Sequence, residues 1–170
     1  MPPAYGLRGL AHGAQTRGTT LHAARAVGSL RHMLSAAGGT PEPMLLAVNG
    51  TLMRGLELNG NLTAAGARFV RETRTAPVYR LWSIGDRHPA MLRVATGGVA
   101  VAVEVWDVPP AGIADILTKE PPGLSIGKVT LEDGGEVLGV LGEPALCEGQ
   151  REITEYKGWR AYIAATGGVS

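Results

Sequence analysis

One cysteine in 170 residues, Cys147, excludes an intramolecular disulfide and a multi-cysteine zinc site. It suits a reducing compartment, so a cytoplasmic location is expected. No apolar run approaches the ~20 residues that span a bilayer, which argues against a membrane partner. A formal net charge of +1 gives no reason to expect nucleic acid. Acidic residues are missing altogether from residues 1–41, which instead carry Arg8, Arg17, Arg25 and Arg31. Three of the four histidines, His12, His22 and His32, also fall there. Their spacing of ten does not match metal ligation from one helix face at i, i+4. No metal or cofactor is expected.

What is present is 45% hydrophobic residues, 18% charged residues, 25 Gly and 11 Pro. That composition describes a soluble globular chain with many turns and short elements, not a helical bundle. Two compositions meet near Gly38-Gly39-Thr40-Pro41-Glu42-Pro43. Residues 1–43 read as a weakly ordered Ala/Gly/Arg-rich extension with no catalytic part. An acid-free targeting peptide, or translated sequence upstream of a start at Met44, are the other readings. Residues 44–170 read as the folded domain.

Within that domain the pattern is one of strands. Met44–Asn49, Ala67–Glu72, Tyr79–Ile84 and Met91–Val94 are strand-like, and Val99–Val108 is the longest β-rich run, as a central strand would be. Pro109-Pro110 ends it. Ala111–Lys119 reads as a short helix with an Ile113, Ile116, Leu117 stripe. Ser125–Leu131 and Glu136–Leu141 form a hairpin around Glu132-Asp133-Gly134-Gly135. The sum is an α+β domain built on a small, curled or closed mixed sheet with one main helix.

The stretch Val48-Asn49-Gly50-Thr51-Leu52-Met53-Arg54-Gly55 follows the apolar run Met44-Leu45-Leu46-Ala47 directly. A buried strand that meets Asn-Gly ends in a turn. Gly50, without a Cβ, permits a positive φ and a close approach of ligand to backbone. Successive N–H groups there would suit an oxyanion or carboxylate. Taken alone, the stretch also reads as a tight strand-to-strand turn with no ligand.

The order of further segments adds to this. Thr75-Ala76-Pro77-Val78-Tyr79-Arg80-Leu81, His88-Pro89-Ala90-Met91, Val103–Pro109, Pro122-Gly123-Leu124-Ser125-Ile126-Gly127 and Gly158-Trp159-Arg160-Ala161-Tyr162 follow one another. Over roughly residues 44–164 this resembles the C-terminal domain of allophanate hydrolase, within the wider γ-glutamylcyclotransferase-like fold. No amidase signature is present, so the resemblance is to the small domain standing alone. It implies a barrel-like core and a cavity floored by the Gly50–Leu52 turn. In cyclotransferases that turn holds a substrate carboxylate, and a glutamate near a helix end acts as acid/base. The implied substrate-binding residues here are Asn49, Gly50, Thr51 and Leu52, and the implied acid/base is Glu120.

The implied reaction is loss of CO2 from a small dicarboxylic acid derived from allophanate, or γ-glutamyl cyclotransfer. The implied partners are a small carboxylate ligand and a separate amidase. A non-catalytic accessory module for such an amidase, in urea or allophanate nitrogen metabolism, is the alternative. The chain departs from the family at Thr51, where the allophanate domain usually has a His. It departs again at Val48 or Asn49, where cyclotransferases usually have a Tyr.

Other side chains are candidates by type. Arg80, with Arg54 and Arg93, has the fork geometry that grips a carboxylate, and Arg80 sits in a strand near the implied cavity. Glu104, mid-strand among valines, is expected to face outward. His88 is the one histidine after residue 41, and a loop hydrogen bond is its expected role. Tyr79, Trp82, Trp159 and Tyr162 are expected to pack. Cys147 has no basic neighbour to make it a thiolate.

Overall fold

In the computed structural model of the protein, residues 44–167 are described. The expected extension over residues 1–43 lies outside the described residues.

The chain runs β1 (Met44–Val48), α1 (Asn59–Ala64), β2 (Arg68–Arg74), β3 (Tyr79–Ile84), β4 (His88–Arg93), β5 (Ala102–Val108), α2 (Pro110–Lys119), β6 (Leu124–Thr130) and β7 (Glu136–Gly142). It finishes with α3 (Pro144–Cys147), β8 (Arg151–Glu152), a 3-10 turn at Thr154–Tyr156 and α4 (Trp159–Thr166). Two sheets form. One has the order β2-β5-β1-β7-β6, the other β4-β3-β8. Both are open, so the mixed α+β fold implied by the resemblance stands, but without a closed barrel.

The valine-rich run becomes β5, an interior strand paired antiparallel with β1 on one side and β2 on the other. Continuous burial from Val103 to Trp106 shows that both of its faces are covered. The hairpin of β6 and β7 pairs in register from Leu124↔Gly142 to Thr130↔Glu136. β7 also pairs parallel with β1, through Leu46↔Leu138 and Ala47↔Gly139. β4 starts at His88, three residues before the expected strand. It is an edge strand, which is where a proline such as Pro89 is tolerated.

Tyr79 joins the two sheets. Its ring is fully buried, and its hydroxyl accepts from the Thr130 N–H (3.0 Å) and from Arg93 Nη2 (2.9 Å). Gly142 of β7 lies against Ala90 of β4, and a Cβ at Gly142 would sit 2.8 Å from the Ala90 methyl. The core between these layers includes Leu46, Val48, Leu81, Met91, Val101, Val105 and Ile153, each at most 1% exposed.

α2 begins with Pro110 in the first turn. Its packed face is Gly112, Ile113 and Ile116, whereas Leu117, expected in the stripe, is 42% exposed. The stripe turns because α2 packs closely on α1: a Cβ on Gly112 would come within 2.6 Å of the Ala65 carbonyl oxygen. The helix stops at Glu120, which takes extended backbone (φ −68°, ψ 143°). Pro121 behind it disfavours the helical conformation there. That break leaves Glu120 lining the same cleft as the residues that follow β1.

Candidate functional site

At the C-terminal end of β1 the chain does not return as a strand. It makes a turn at residues 49–58 that leads into α1, which corrects the strand-to-strand reading. Met53 N–H donates to the Gly50 carbonyl (2.9 Å) and Leu58 N–H to the Thr51 carbonyl (3.0 Å). The Asn59 side chain donates to the Leu52 carbonyl (2.9 Å). These bonds use the carbonyls of the turn. The N–H groups of Gly50, Thr51 and Leu52 take no partner among the described residues.

Gly50 does not adopt a positive φ, so the expected conformational reason for glycine is wrong. The reason is steric. A Cβ at Gly50 would lie 2.6 Å from both Cγ and Cδ of Pro89, whose ring presses on the turn from β4. Gly50→Ala is therefore expected to destabilise by overpacking, by about 1–3 kcal/mol, and to shift the turn. A urea midpoint equal to that of the wild type would contradict this.

The turn floors a cleft of about 790 Å³. That is room for a compact ligand. Val48, Asn49, Gly50, Thr51 and Leu52 form the floor. Ile84–Pro89 from the β3–β4 hairpin form one wall, Lys119–Pro121 from the end of α2 another, and Trp159 and Ile163 of α4 a third. Asn49 to Leu52 and Glu120 thus share one cleft, although 68 or more residues separate them in sequence.

Glu120 is half-buried, and burial raises its carboxyl above the ordinary value. It makes no ion pair or hydrogen bond through its side chain among the described residues. Burial of a carboxyl with no ion pair suits it to carrying a proton in a reaction. Lys119, its neighbour, is tied back along the helix to Asp115 at 2.7 Å. Asn49 is 4% exposed and its Nδ2 has no hydrogen-bond partner among the described residues. A buried amide N–H₂ without an acceptor is uncommon and calls for an explanation.

Arg80 lies elsewhere. Its Nε is 2.9 Å from Glu152 Oε1 across β3 and β8, its guanidinium lies 5.7 Å from the Trp82 ring centroid, and it is not among the cleft residues. Arg93 donates to Tyr79 and Thr130. His88 lines the cleft, with Nδ1 3.3 Å from the Pro89 carbonyl oxygen, and starts β4 instead of lying in a loop. Burial pushes the Cys147 thiol up to about 11, so it stays protonated. Among the described residues no group of three or more His, Cys, Asp and Glu could hold a metal ion, and no helix is long and apolar enough to cross a membrane.

Two features were not read from the sequence. Asp86 lines the cleft in a left-handed conformation (φ 56°). It accepts from the Tyr162 hydroxyl and from Ser83 Oγ (2.7 Å), and these two bonds hold its carboxyl below the ordinary value. Tyr162, on α4, thereby anchors the hairpin wall.

The second is Glu104, expected outward and in fact fully buried. Its carboxylate accepts from the Arg54 backbone N–H (3.0 Å), Arg54 Nε (3.2 Å), Trp106 Nε1 (3.0 Å) and Arg160 Nη2 (2.6 Å). Burial alone would raise its pKa. The bonds from Arg160, Arg54 and Trp106 outweigh that and hold it below the ordinary value. Arg160 also donates to the Arg54 carbonyl (2.7 Å), so the middle of the turn is held at both backbone groups of Arg54.

Fold and cleft together define a small α+β domain with a donor-lined floor facing a carboxyl of raised pKa. The family model for the allophanate hydrolase C-terminal domain matches residues 44–164, and the chain belongs to that family. A crystal structure of c4763, a uropathogenic E. coli-specific protein, is 61% identical, with a TM-score of 0.71 over 75% of this chain and 98% of that one. Allophanate hydrolase from Kluyveromyces lactis is 30% identical, with a TM-score of 0.69 over 73% of this chain and 21% of that one. Urea amidolyase from Saccharomyces cerevisiae is 31% identical over 125 residues, which is 69% of this chain and 7% of that protein. The chain thus spans about 7% of the length of the curated relatives it matches.

Proposed function

We propose that the cleft binds a small dicarboxylic acid and that Glu120 moves a proton in its decarboxylation. One ligand carboxylate would rest on the N–H groups of Gly50, Thr51 and Leu52, with the Asn49 side chain beside them. Glu120, whose carboxyl burial raises above the ordinary value, would act as general acid in its protonated form. The bond to the departing carboxylate carbon breaks and CO2 leaves. The electron pair stays on the atom left behind, which takes the Glu120 proton. Solvent then reprotonates Glu120.

The observation that carries this reading is the meeting, in one cleft, of unpartnered N–H groups and a carboxyl raised by burial. The relatives supply the context. Allophanate hydrolase and urea amidolyase are the printed names of proteins that contain a matching domain, and the acid would be the allophanate-derived product of a separate amidase. The cytoplasm, as the reducing compartment that suits a free Cys147, is the proposed location.

The test is CO2 release from allophanate in the presence of an allophanate-cleaving amidase. Adding this protein is expected to speed release beyond the amidase alone. No acceleration at any protein concentration would overturn the catalytic reading. One observation favours a second reading, a non-catalytic accessory domain: Thr51 stands where the resemblance implies a His. Co-elution with the amidase, without any effect on CO2 release, would select it.

A further inference from the structure

Among the described residues, Arg87 is the one arginine whose side chain has no partner. The other eight each meet a carboxylate, a hydroxyl, a carbonyl oxygen or an aromatic ring. Arg87 nevertheless lines the cleft. Lys119, the other Lys or Arg of the cleft, is held by Asp115 at 2.7 Å. The cleft therefore has one uncommitted guanidinium and no second one.

Its backbone is fixed although its side chain is exposed. Gly85 and Asp86 both take left-handed conformations (φ 56°), and the Arg87 N–H closes the turn on the Ile84 carbonyl (3.0 Å). The Gly85 N–H donates to Gln150 Oε1 (3.1 Å), and Asp86 is tied to Ser83 and Tyr162. A turn anchored at three points holds the root of Arg87 at the cleft wall. The side chain, with no bond inside the protein to break, is free to fold onto a bound molecule.

Charge says what that molecule needs. A dicarboxylate brings two negative charges to a cleft that Glu57, Asp86 and Glu120 already line. The N–H groups of Gly50, Thr51 and Leu52 suit one carboxylate. The second needs a formal positive charge, and a planar guanidinium matches a carboxylate with two parallel hydrogen bonds. We infer that Arg87 is the specificity-determining residue of the cleft: its side chain closes over the bound acid and pairs with the second carboxylate. A monocarboxylate such as acetate uses the backbone donors alone, whereas malonate uses both. The inference rests on the cleft being a carboxylate site, as proposed above.

Arg87→Gln removes the charge and Arg87→Lys keeps it without the fork. Both are compared with the wild type, on the full chain, by melting temperature without ligand and by dissociation constants for malonate and acetate. The unliganded variants are expected to melt within about 2 °C of the wild type, because no internal bond is lost. Malonate affinity is expected to fall about tenfold in Arg87→Gln, the effect of one hydrogen bond to a charged group, and by less in Arg87→Lys. Acetate affinity is expected to change less than about twofold, since its carboxylate stays on the backbone donors. Malonate binding equal to wild type in Arg87→Gln would overturn the inference. So would an equal loss of acetate and malonate, which would make Arg87 a general source of positive potential, or a large fall in the unliganded melting temperature, which would give it a structural partner. A wild type that binds both acids equally well would sink this inference and leave the carboxylate site standing. A wild type that binds neither would sink both.

Discussion

Glu104→Gln is expected to destabilise the domain by about 3 kcal/mol, seen as a lower urea midpoint with an unchanged slope. The side chain is fully buried and accepts four hydrogen bonds, two of them from arginine side chains. Gln preserves the volume, but one of its ends is a donor. Wherever that NH₂ points, it meets an N–H of Arg54, Trp106 or Arg160, and one pairing becomes a repulsion. Glu72 also stands directly across from Glu104 in the register of β2 and β5. Arg54 bridges the two carboxylates, at 2.8 Å to Glu72 and 3.2 Å to Glu104. The Arg54 and Arg160 side chains are 44% and 40% exposed and rehydrate when Glu104 is neutralised, which keeps the expected loss at the low end of the range for a broken buried pair.

The same group sets a pH dependence. Its pKa is lowered on folding, so the unfolded chain binds the proton more tightly. The stability it contributes is fully present above the unfolded value and drains away as pH falls through the folded one. Wild-type stability should therefore decline below the ordinary glutamate range, and the decline should be shallower in Glu104→Gln. Parallel acid limbs would contradict the assignment. The variant should also weaken ligand binding, because the Arg54 N–H that Glu104 holds lies within the turn that floors the cleft.

Glu120→Gln is expected to lower turnover by about 10²–10⁴-fold, the usual contribution of a general acid, and to leave the fold intact. Gln is isosteric and neutral, so half-burial costs it no charge desolvation. The wild-type rate should fall as pH rises through the raised pKa of Glu120, since only the protonated form donates. Stability has the opposite sense to Glu104. The contribution of Glu120 is fully present at acid pH and is lost as pH rises through its folded value. Unchanged rates in Glu120→Gln would remove its role, and a rate rising with pH over that window would make it a base.

Local pattern was enough to find most of the fold. Strand β3 falls on the expected residues, α2 and the β6–β7 hairpin within one or two, and the β-rich run is the interior strand β5. Each has a local cause in proline stops, alternation or a four-residue turn. That β1 ends in a turn at Asn49-Gly50 was also legible, but not that the turn leads into α1 instead of a strand. What failed depends on neighbours. Gly50 needs no unusual φ but has no room for a Cβ, and only the position of Pro89 from another sheet shows this. Glu104 defied alternation because both faces of β5 are covered, and its arginine partners lie 50 or more residues away, one in each direction. A lone glutamate in a valine strand and an arginine in Gly158-Trp159-Arg160 were the available signals, and nothing local pairs them. Arg80 looked like an anion ligand by type, but Glu152 of β8 occupies it.

The most direct test of the account is a thermal shift of the protein with malonate, set beside a γ-glutamyl dipeptide at equal concentration. The cleft described here predicts stabilisation by malonate and a smaller effect, or none, from the dipeptide. Stabilisation by the dipeptide alone would contradict it, and would direct the search to release of 5-oxoproline.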